Sequence, residues 1–440
     1  MKSLIISSNR SGGGKTTFTL GLMKALKNRG YDIQGYKVGP DYIDTGFHSE
    51  VIGKSSRNLD LHLMGEEGVK ASFSRGTGEL GVIEGVMGLY DGIGITEDGS
   101  TYEVAKVLDN SPIILVVTPK GQSVTLCAEI NGLKDFRNAN VVGVVINSVS
   151  EKYYSLLKSA IQLNCNVKVF GYVPKEEKIR LESRHLGLVQ SVEIHNLLEK
   201  IEICANLIEE HIDLDSLIDS FKDMPKYEDK FHLKNQGLKI AVAYDEAFRF
   251  YYKENLELLE EIGEVIYFSP MHDKKLPENI DFLYLGGGYP EVFKEKLEAN
   301  ISMRESIKLA LDNNLKCYAE CGGLMYLTEK INGNEMVGFF TGYSEMTKGL
   351  KRFGYATVLM ENEETKEQIK VNCHEFHKSD VKLLESTSYI VEKKAWTGEN
   401  LTWTCGYKKK NTLAGYPHIH FIGNLEFLKV LVGYDGSKKC

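Results

Sequence analysis

Near its start the chain reads Ser8-Asn9-Arg10-Ser11-Gly12-Gly13-Gly14-Lys15-Thr16-Thr17, and this stretch decides the fold of its first half. A short apolar run, Leu4 to Ser7, precedes it, and Phe18 to Arg29 has the apolar spacing of an amphipathic helix. A buried strand that ends in a glycine-rich turn and opens a helix directs several backbone N–H groups at one small volume, together with the positive end of the helix dipole. The stretch therefore predicts a polyphosphate site.

Two side chains of this loop have predicted roles at that site. We expect Lys15 to contact the outer phosphates of a nucleotide and the Thr16 hydroxyl to bind Mg²⁺. The usual pattern is G-x-x-x-x-G-K-[ST], and Asn9 occupies its first glycine position, a mild departure because Asn tolerates left-handed backbone angles. The alternative is a glycine-rich turn before an ordinary helix, which Lys-Thr-Thr directly after three glycines disfavours.

Composition excludes several classes of protein. A length of 440 residues indicates two or three domains, and 42 % hydrophobic with 26 % charged residues is ordinary for a soluble globular protein. A net charge of −8 without a basic block argues against a nucleic-acid partner. The eight cysteines are scattered without a C-x-x-C pair, which favours free thiols in a reducing compartment. Since no stretch approaches a membrane span or a signal peptide, we expect a cytoplasmic protein with no membrane partner.

Acidic and basic side chains follow two further predicted strands. The strand 31–38 contains Lys37 near its end and leads into a loop with Asp41 and Asp44, and the strand 80–83 ends at Glu84. Enzymes with parallel sheets place their chemistry at the carboxyl ends of strands, and an acid that ends a buried strand after a phosphate loop is the usual second Mg²⁺ contact. For Asp41 the alternative is a solvated turn in which the carboxylate caps a helix. The predicted ATP-binding residues are Gly12, Gly13, Gly14, Lys15, Thr16, Thr17 and Lys37.

Buried strands alternate with helices throughout the first half, and a second such unit follows. Strands at 113–117 and 141–146, with helices between, predict a parallel sheet covered on both faces. A helix at 192–212 and a charged stretch with Pro225 read as a connector, and a new apolar strand begins at Leu238. We therefore predict domains at 1–190 and 237–440, joined by a helix and linker at 191–236.

The sharpest signal of the second half is Cys321. A predicted strand, 315–320, runs directly into Cys321-Gly322-Gly323, the strand-to-helix turn that exposes a nucleophile above a sheet. Such a position favours thiolate, and the N–H groups of Gly322 and of Gly287, in a glycine turn after another strand, could form an oxyanion hole. The other cysteines lack this context and read as small hydrophobic residues: Cys127, Cys165, Cys204, Cys317, Cys373, Cys405 and Cys440.

A thiolate needs a base, and two histidine clusters are available. One contains His374 and His377, and the other contains His418 and His420. A metal site in the first cluster is disfavoured because its spacing is not H-E-x-x-H and no third ligand is obvious. The aromatic run 244–252 could be a surface for a planar ligand or a packing face.

Five motifs together carry a resemblance to a known family. They are SGGGKTT (11–17), YKVGPDYIDTGFH (36–48), SRNLD (56–60), EGVMGLYDG (84–92) and SRHLGL (183–188). In order and spacing they resemble the cobyrinate a,c-diamide synthase family of glutamine-dependent amidotransferases. The resemblance implies an α/β protein with two doubly wound, mostly parallel sheets. The N-terminal domain would be P-loop NTPase-like, similar to dethiobiotin synthetase, and the C-terminal domain would be class I glutamine amidotransferase-like.

The activity that this resemblance implies is that of a carbon–nitrogen ligase of cobalamin biosynthesis. ATP and Mg²⁺ would convert the a and c acetate carboxylates of cobyrinate into acyl phosphates, and a Cys–His site would release ammonia from L-glutamine. A corrinoid tetrapyrrole, glutamine and ATP are then the partners, and the chain could act as a homodimer. One alternative is the same chemistry on hydrogenobyrinate or Ni-sirohydrochlorin. Another is a P-loop regulatory binding protein whose amidotransferase half has decayed.

The resemblance also implies roles for individual residues. His418 would be the base, and His420 would stand where other class I amidotransferases have the Glu of a His-x-Glu pair, so the implied catalytic set is Cys321, His418 and His420. The implied metal ligands are Thr16, Asp41 and Glu84. The residues implied to face the macrocycle, its phosphorylated intermediate or glutamine are Tyr42, Asp44, Asp91, Asp245, Phe248, His374 and His377, with His48 a weaker candidate.

Overall fold

The chain divides into two compact units. The computed structural model describes residues 1–179, 197–363 and 365–434. Unit 1 comprises Met1–Leu61 and Gly65–Lys230, and unit 2 comprises His62–Met64 and Phe231–Cys440. The SRHLGL motif at 183–188 and Cys440 lie outside the described residues. None of the described helices is long and apolar enough to cross a membrane.

Unit 1 alternates strands and helices, as the sequence predicts. Its strands are β1 (Lys2–Ser8), β2 (Ile33–Val38), β3 (Arg57–Leu59), β4 (Leu80–Glu84), β5 (Ile113–Val117), β6 (Val141–Val149), β7 (Lys168–Pro174) and β8 (Lys222–Asp223). Its helices are α1 (Lys15–Asn28), α2 (Tyr42–Ile52), α3 (Leu61–Arg75), α4 (Thr101–Val107), α5 (Val124–Asp135), α6 (Glu151–Asn164), α7 (Leu197–His211) and α8 (Leu214–Ile218).

The sheet of unit 1 puts β1 at its centre. The strand order is β3-β2-β4-β1-β5-β6-β7 with parallel pairing, and β8 pairs antiparallel with the start of β1. All residues of β2, β4 and β5 are buried, as expected for parallel strands covered on both faces. The strand order reverses at β1, so the loop after β1 lies at the switch point where open α/β sheets bind ligands.

Helix α1 is held between the sheet and α7. Its apolar residues, among them Phe18 and Leu22, share a core with Leu4 of β1 and with α7. At Gly21 the helices approach so closely that a Cβ would lie 2.5 Å from Cys204 Sγ. This packing fixes the first turn of α1, where the phosphate loop ends.

Unit 2 contains more strands than helices. Its strands are β9 (Leu238–Ala243), β10 (Phe248–Phe250), β11 (Gly263–Phe268), β12 (Phe282–Leu285), β13 (Gly287–Gly288), β14 (Lys316–Glu320), β15 (Lys330–Ile331), β16 (Asn334–Glu335), β17 (Gly342–Met346), β18 (Arg352–Glu361), β19 (Gln368–His377), β20 (Ser379–Leu383), β21 (Thr387–Lys394), β22 (Asn400–Lys409), β23 (Thr412–Gly415) and β24 (His418–Ile419). Its helices are α9 (Lys253–Ile262), α10 (Lys294–Ala299), α11 (Ile301–Asp312), α12 (Gly322–Leu327) and α13 (Leu425–Val432).

The main sheet of unit 2 has a parallel half and an antiparallel half. Its order is β11-β9-β12-β14-β23-β22-β21-β18-β19-β24, parallel from β11 to β23 and antiparallel from there on. Two smaller sheets, β16-β15-β17-β20 and β10-β13, accompany it. Both units are α/β, as predicted. The expected mostly parallel sheet is present in unit 1, whereas the main sheet of unit 2 is parallel only from β11 to β23 and antiparallel from β23 to β24.

Candidate active sites

The loop between β1 and α1 forms a cradle that needs its glycines. Gly12 and Gly14 have φ of 68° and 86°, in the left-handed region that glycine adopts readily. A Cβ on Gly13 would lie 2.6 Å from Ser8 Oγ, and one on Gly14 would lie 2.2 Å from Asn147 Nδ2. No side chain caps the start of α1, so the helix dipole and its first N–H groups face this loop uncovered.

Lys15 lies inside this cradle. Its Nζ donates to Ser8 Oγ (3.1 Å), to the Arg10 carbonyl oxygen (3.0 Å) and to the Met87 carbonyl oxygen. Burial lowers the pKa of Lys15 most, and the charge of Lys37 lowers it further, to about 8. All three acceptors are neutral oxygens, so the ammonium is held in place while its charge remains available to an anion.

Glu84, the last residue of β4, is the centre of a buried polar network. Its Oε1 accepts from Thr16 Oγ1 (2.6 Å) and from Lys37 Nζ (2.9 Å), and its Oε2 is 2.7 Å from His48 Nε2. Glu84 and His48 have no exposed surface. Burial acts to raise the pKa of Glu84, but Lys37, His48 and Thr16 outweigh it and hold that pKa below its ordinary value. His48, the weaker sequence candidate, thus contacts the central carboxylate directly.

Lys37 joins Glu84 to the first turn of α2. Its Nζ lies 2.6 Å from Asp44 Oδ2, and burial together with Asp41 raises the pKa of Asp44. Asp41 caps α2, since its Oδ1 accepts the N–H groups of Ile43 (2.8 Å) and Asp44 (3.0 Å). The capping alternative for Asp41 is therefore realised, within the same acidic cluster that the resemblance implied.

Two further predicted residues of unit 1, Tyr42 and Asp91, lie next to these groups in the sequence, one at the start of α2 and one in the loop after β4. Tyr42 is the first residue of α2. Asp91 Oδ2 accepts the Gly88 N–H at 2.8 Å, and its charge acts on Lys15. The structure brings Lys15, Asp91 and the Glu84 network to the carboxyl edge of the sheet.

The Thr16 hydroxyl and the Glu84 carboxylate are a donor set that suits Mg²⁺. Both are hard oxygen donors, and Mg²⁺ in nucleotide sites usually takes one or two protein ligands and completes its shell with phosphate and water. Within the described part of the chain, no group of three or more His, Cys, Asp or Glu side chains could hold a metal unaided. The residues fit an ion that is shared with a nucleotide.

Cys321 occupies a strained turn between β14 and α12. Its backbone has φ 49° and ψ −99°, and its N–H donates to the Gly415 carbonyl oxygen of β23 at 2.7 Å. Positive φ is unusual for a residue with a Cβ and is typical of exposed nucleophiles at such turns. A Cβ on Gly322 would lie 3.1 Å from Gly288 N, so the two predicted oxyanion turns pack against each other.

His418 lies beside this turn. A Cβ on Gly287 would be 2.3 Å from His418 Cε1, and the ring stacks on His374 with centroids 5.0 Å apart. Burial acts to lower the pKa of His418, but Cys321 and Glu320 outweigh it and raise that pKa to about 10. The structure therefore brings together Cys321, Gly287, His418 and His374.

The other predicted histidines have different neighbours. His420 Nε2 is 3.3 Å from Glu254 Oε2, and both residues have no exposed surface. His377 stacks face to face on Tyr416, with centroids 3.7 Å apart, and its Nδ1 is 2.8 Å from the Ser379 carbonyl oxygen.

Asp245 and Phe248 have structural partners. Asp245 accepts from the Ala247 N–H (2.9 Å), the Ser269 hydroxyl (2.8 Å) and the Met271 N–H (2.9 Å), which fixes the loop after β9. Phe248 has no exposed surface and packs on Tyr326 with centroids 5.3 Å apart. The packing alternative describes this aromatic side chain better than a ligand surface does.

The sequence did not predict the two carboxylates that lie beside His418 and His420. Glu320 lies 3.7 Å from His418 Nδ1, and Glu254 pairs with His420. Glu320 could have been predicted from the sequence, because it is the last strand residue before the candidate nucleophile. Glu254 could not, since it lies 166 positions from His420 in a different element.

Comparison with known proteins adds two family matches. Residues 4–189 match the CobQ/CobB/MinD/ParA nucleotide binding domain, and residues 239–425 match the CobB/CobQ-like glutamine amidotransferase domain. The chain is 60 % identical over 438 residues to a cobyrinate a,c-diamide synthase of Clostridium tetani, covering 98 % of this chain and 100 % of that protein. It is 61 % identical over 437 residues to the protein of the same name from Clostridium acetobutylicum, with the same coverage. The protein of that name from Caldanaerobacter subterraneus is 42 % identical over 440 residues, covering 97 % of this chain and 96 % of the relative.

Proposed function

The chain belongs to the cobyrinate a,c-diamide synthase family, and on that premise we propose that it is a ligase that uses ATP and glutamine to amidate the a and c acetate carboxylates of cobyrinate. The observation that carries the proposal is Cys321 on its strained turn with His418 beside it. The alternative function, a P-loop regulatory protein with a decayed amidotransferase half, does not require such a cysteine–histidine pair. It therefore does not explain why Cys321 and His418 lie together in unit 2.

Unit 1 would activate the carboxylate. A carboxylate is a poor electrophile, and transfer of the ATP γ-phosphoryl group to it gives an acyl phosphate. Lys15 and the loop N–H groups would stabilise charge on the transferred group and the leaving diphosphate. Mg²⁺, held by Thr16 and Glu84, would supply further charge compensation when bound. Lys37 would keep Glu84 ionised and in place.

Unit 2 would supply ammonia. The Cys321 sulfur attacks the side-chain carbonyl carbon of glutamine, and the N–H groups of Gly287 and Gly322 would stabilise the oxyanion. His418 takes the thiol proton and delivers it to the departing nitrogen, which leaves as ammonia while a glutamyl thioester forms. Water then hydrolyses the thioester to glutamate and restores the thiol. Ammonia displaces phosphate from the acyl phosphate and gives the amide.

The raised pKa of His418 agrees with this cycle. A base whose pKa lies near 10 beside Cys321 carries a proton at neutral pH when the thiolate is present. The proton would then already lie on the group that must deliver it to the departing nitrogen.

The macrocycle is assigned through the family alone. Hydrogenobyrinate and Ni-sirohydrochlorin carry comparable acetate side chains, and the same two half-reactions would amidate them. Incubating the protein with each macrocycle, ATP and glutamine, and measuring product masses, separates the three. Two amidations of cobyrinate, with little product from the other macrocycles, is the expected result.

The decisive test uses two variants with opposite patterns. Cys321→Ala should abolish glutamine-dependent amidation and keep most of the ammonia-dependent amidation, because only the nitrogen supply is removed. Lys15→Ala should lose amidation with either nitrogen source. Cys317→Ala, on the strand that leads to Cys321, and Lys24→Ala, on the same helix as Lys15, are matched controls that should retain both activities. Normal glutamine use by Cys321→Ala would overturn the proposal.

A further inference from the structure

Glu320 lies beside the ring of the base and binds the backbone of the strand that carries it. It ends β14, next to Cys321, and is 1 % exposed. Its Oε2 lies 3.7 Å from His418 Nδ1, and its Oε1 accepts the Ile419 N–H at 3.2 Å. The Tyr284 hydroxyl donates to Oε2 at 3.1 Å and fixes the carboxylate from a third strand, β12.

His420 is engaged elsewhere. Its Nε2 is 3.3 Å from Glu254 Oε2, and its Nδ1 has no hydrogen-bond partner among the described residues. Two separate acid–imidazole pairs therefore lie on this short segment, Glu320 with His418 and Glu254 with His420. His420, to which the resemblance assigned the orienting position, therefore pairs with Glu254 instead.

The chemistry of the base requires a negative charge nearby. A buried imidazole that takes the proton of a thiol becomes a cation, and desolvation penalises that cation unless an opposite charge lies within about 4–6 Å. A carboxylate meets this need and also fixes the ring orientation, whereas a neutral imidazole supplies no charge. We propose that Glu320, rather than His420, is the positioning residue that orients His418 and stabilises its protonated form. This inference rests on the proposed function, since it assumes that His418 serves Cys321.

Apart from Cys321, which the reaction itself uses, Glu320 is the group whose charge raises the pKa of His418. The titratable groups that interact with His418 include Cys321, Glu320 and His374. Those facing Glu320 are Tyr251, Tyr284, Tyr318, Cys373 and His418. Burial raises the pKa of each of these tyrosines and of Cys373 well above its ordinary value, and burial with His418 lowers the pKa of His374. The three tyrosines and Cys373 therefore stay protonated, and His374 stays neutral, near neutral pH.

Glu320→Gln removes the charge and keeps the shape. The Gln carbonyl oxygen can still accept the Ile419 N–H, so the backbone contact survives while the ion pair to His418 is lost. The matched control is Glu254→Gln, which makes the same change in the pair with His420. For each variant we would measure the ratio of glutamine-dependent to ammonia-dependent amidation, and the pH dependence of kcat/KM for glutamine.

The expected result is specific to one variant. Glu320→Gln should lower the ratio by about 10- to 100-fold, the usual loss when the partner that orients a functional histidine is removed. The upper pH limit of kcat/KM should move to lower pH, because His418 then loses its proton more readily. Glu254→Gln should change neither quantity.

Several outcomes would overturn the inference. One is that Glu254→Gln, and not Glu320→Gln, produces the loss and the shift. Another is that Glu320→Gln lowers the ratio without moving the upper limit, which would indicate a structural role. If Glu320→Gln does not fold, Glu320→Asp replaces it and should lower the ratio less while keeping the upper limit, and wild-type behaviour of that variant would count against the inference. A Cys321→Ala protein that still uses glutamine would instead refute the proposed function itself.

Discussion

Replacing Gly287 by alanine tests whether the glycine turn exists to make room for the base. The added Cβ would lie 2.3 Å from His418 Cε1, 3.2 Å from His418 Nδ1 and 3.2 Å from Phe250 Cβ. Non-bonded carbons settle at about 3.5 Å or more, so the imidazole must retreat by roughly 3.5 − 2.3 = 1.2 Å. A displacement of about 1 Å in a catalytic group costs on the order of 100-fold in rate. That is about 2.7 kcal/mol of transition-state stabilisation.

The assay compares the two nitrogen sources in one protein. Gly287→Ala should lose about 100-fold in glutamine-dependent amidation, because the displacement falls on a group that acts in that half-reaction alone. Ammonia-dependent amidation should persist and report that unit 1 is intact. Gly349→Ala is the control, since a Cβ there meets no atom within 4 Å. If Gly287→Ala used glutamine within about three-fold of the wild-type rate, the placement of His418 against this turn would be wrong.

Three further predictions concern unit 1. Because the free Lys15 ammonium has a pKa of about 8, ATP binding without Mg²⁺ should weaken as the pH rises from about 7 to 9, and Lys15→Met should flatten this dependence in calorimetric titrations. Lys37→Met should lower the free energy of unfolding in urea by about 3 kcal/mol, because it leaves buried carboxylates uncompensated. Because the pKa of Glu84 is lowered in the folded protein, its contribution to the free energy of unfolding is complete at neutral pH and is lost as the pH falls below its ordinary pKa of 4.5. In Lys37→Met this loss of stability at acid pH should be smaller. Gly21→Ala should lower the thermal midpoint through about 1–3 kcal/mol of overpacking against Cys204, and adding Cys204→Gly should restore most of the loss.

Local sequence patterns predicted the strands and the helix around the phosphate loop of unit 1, but the helix read as a connector belongs to the core of that unit as α7. The apolar run before the glycine loop predicted β1, and the structure extends that strand to Lys2–Ser8. The predicted helix began at Phe18, whereas α1 begins at Lys15, because its first turn is polar and carries no apolar periodicity. The antiparallel half of unit 2 could not be predicted in this way. Its order depends on pairings such as β19 with β24, which bring together segments distant in the chain.

In the candidate sites too, residues within local motifs could be predicted, whereas residues brought together by tertiary contacts could not. Cys321 and Lys15 lie in local motifs, and the structure puts each in the turn that its motif predicted. The partners of the histidines depend on tertiary contacts, which no local motif encodes. The resemblance implied that His420 serves His418, but the structure pairs His420 with Glu254 and puts Glu320 beside His418. The roles of these residues stay predictions until the variants are measured.

The curvature of the main sheet of unit 2 determines when the Cys321 thiol and the His418 imidazole can meet. Strand β24, with the base, is six pairings from β14, with the nucleophile, a separation of roughly 29 Å on a flat sheet at about 4.8 Å per strand. The 3.2 Å hydrogen bond from Ile419 to Glu320 shows that the sheet instead bends until its last strand returns to β14. Thiol and imidazole therefore meet only after the intervening strands have closed this ring. A half-made or partly melted chain carries both groups apart, so under the proposed function it would not hydrolyse glutamine.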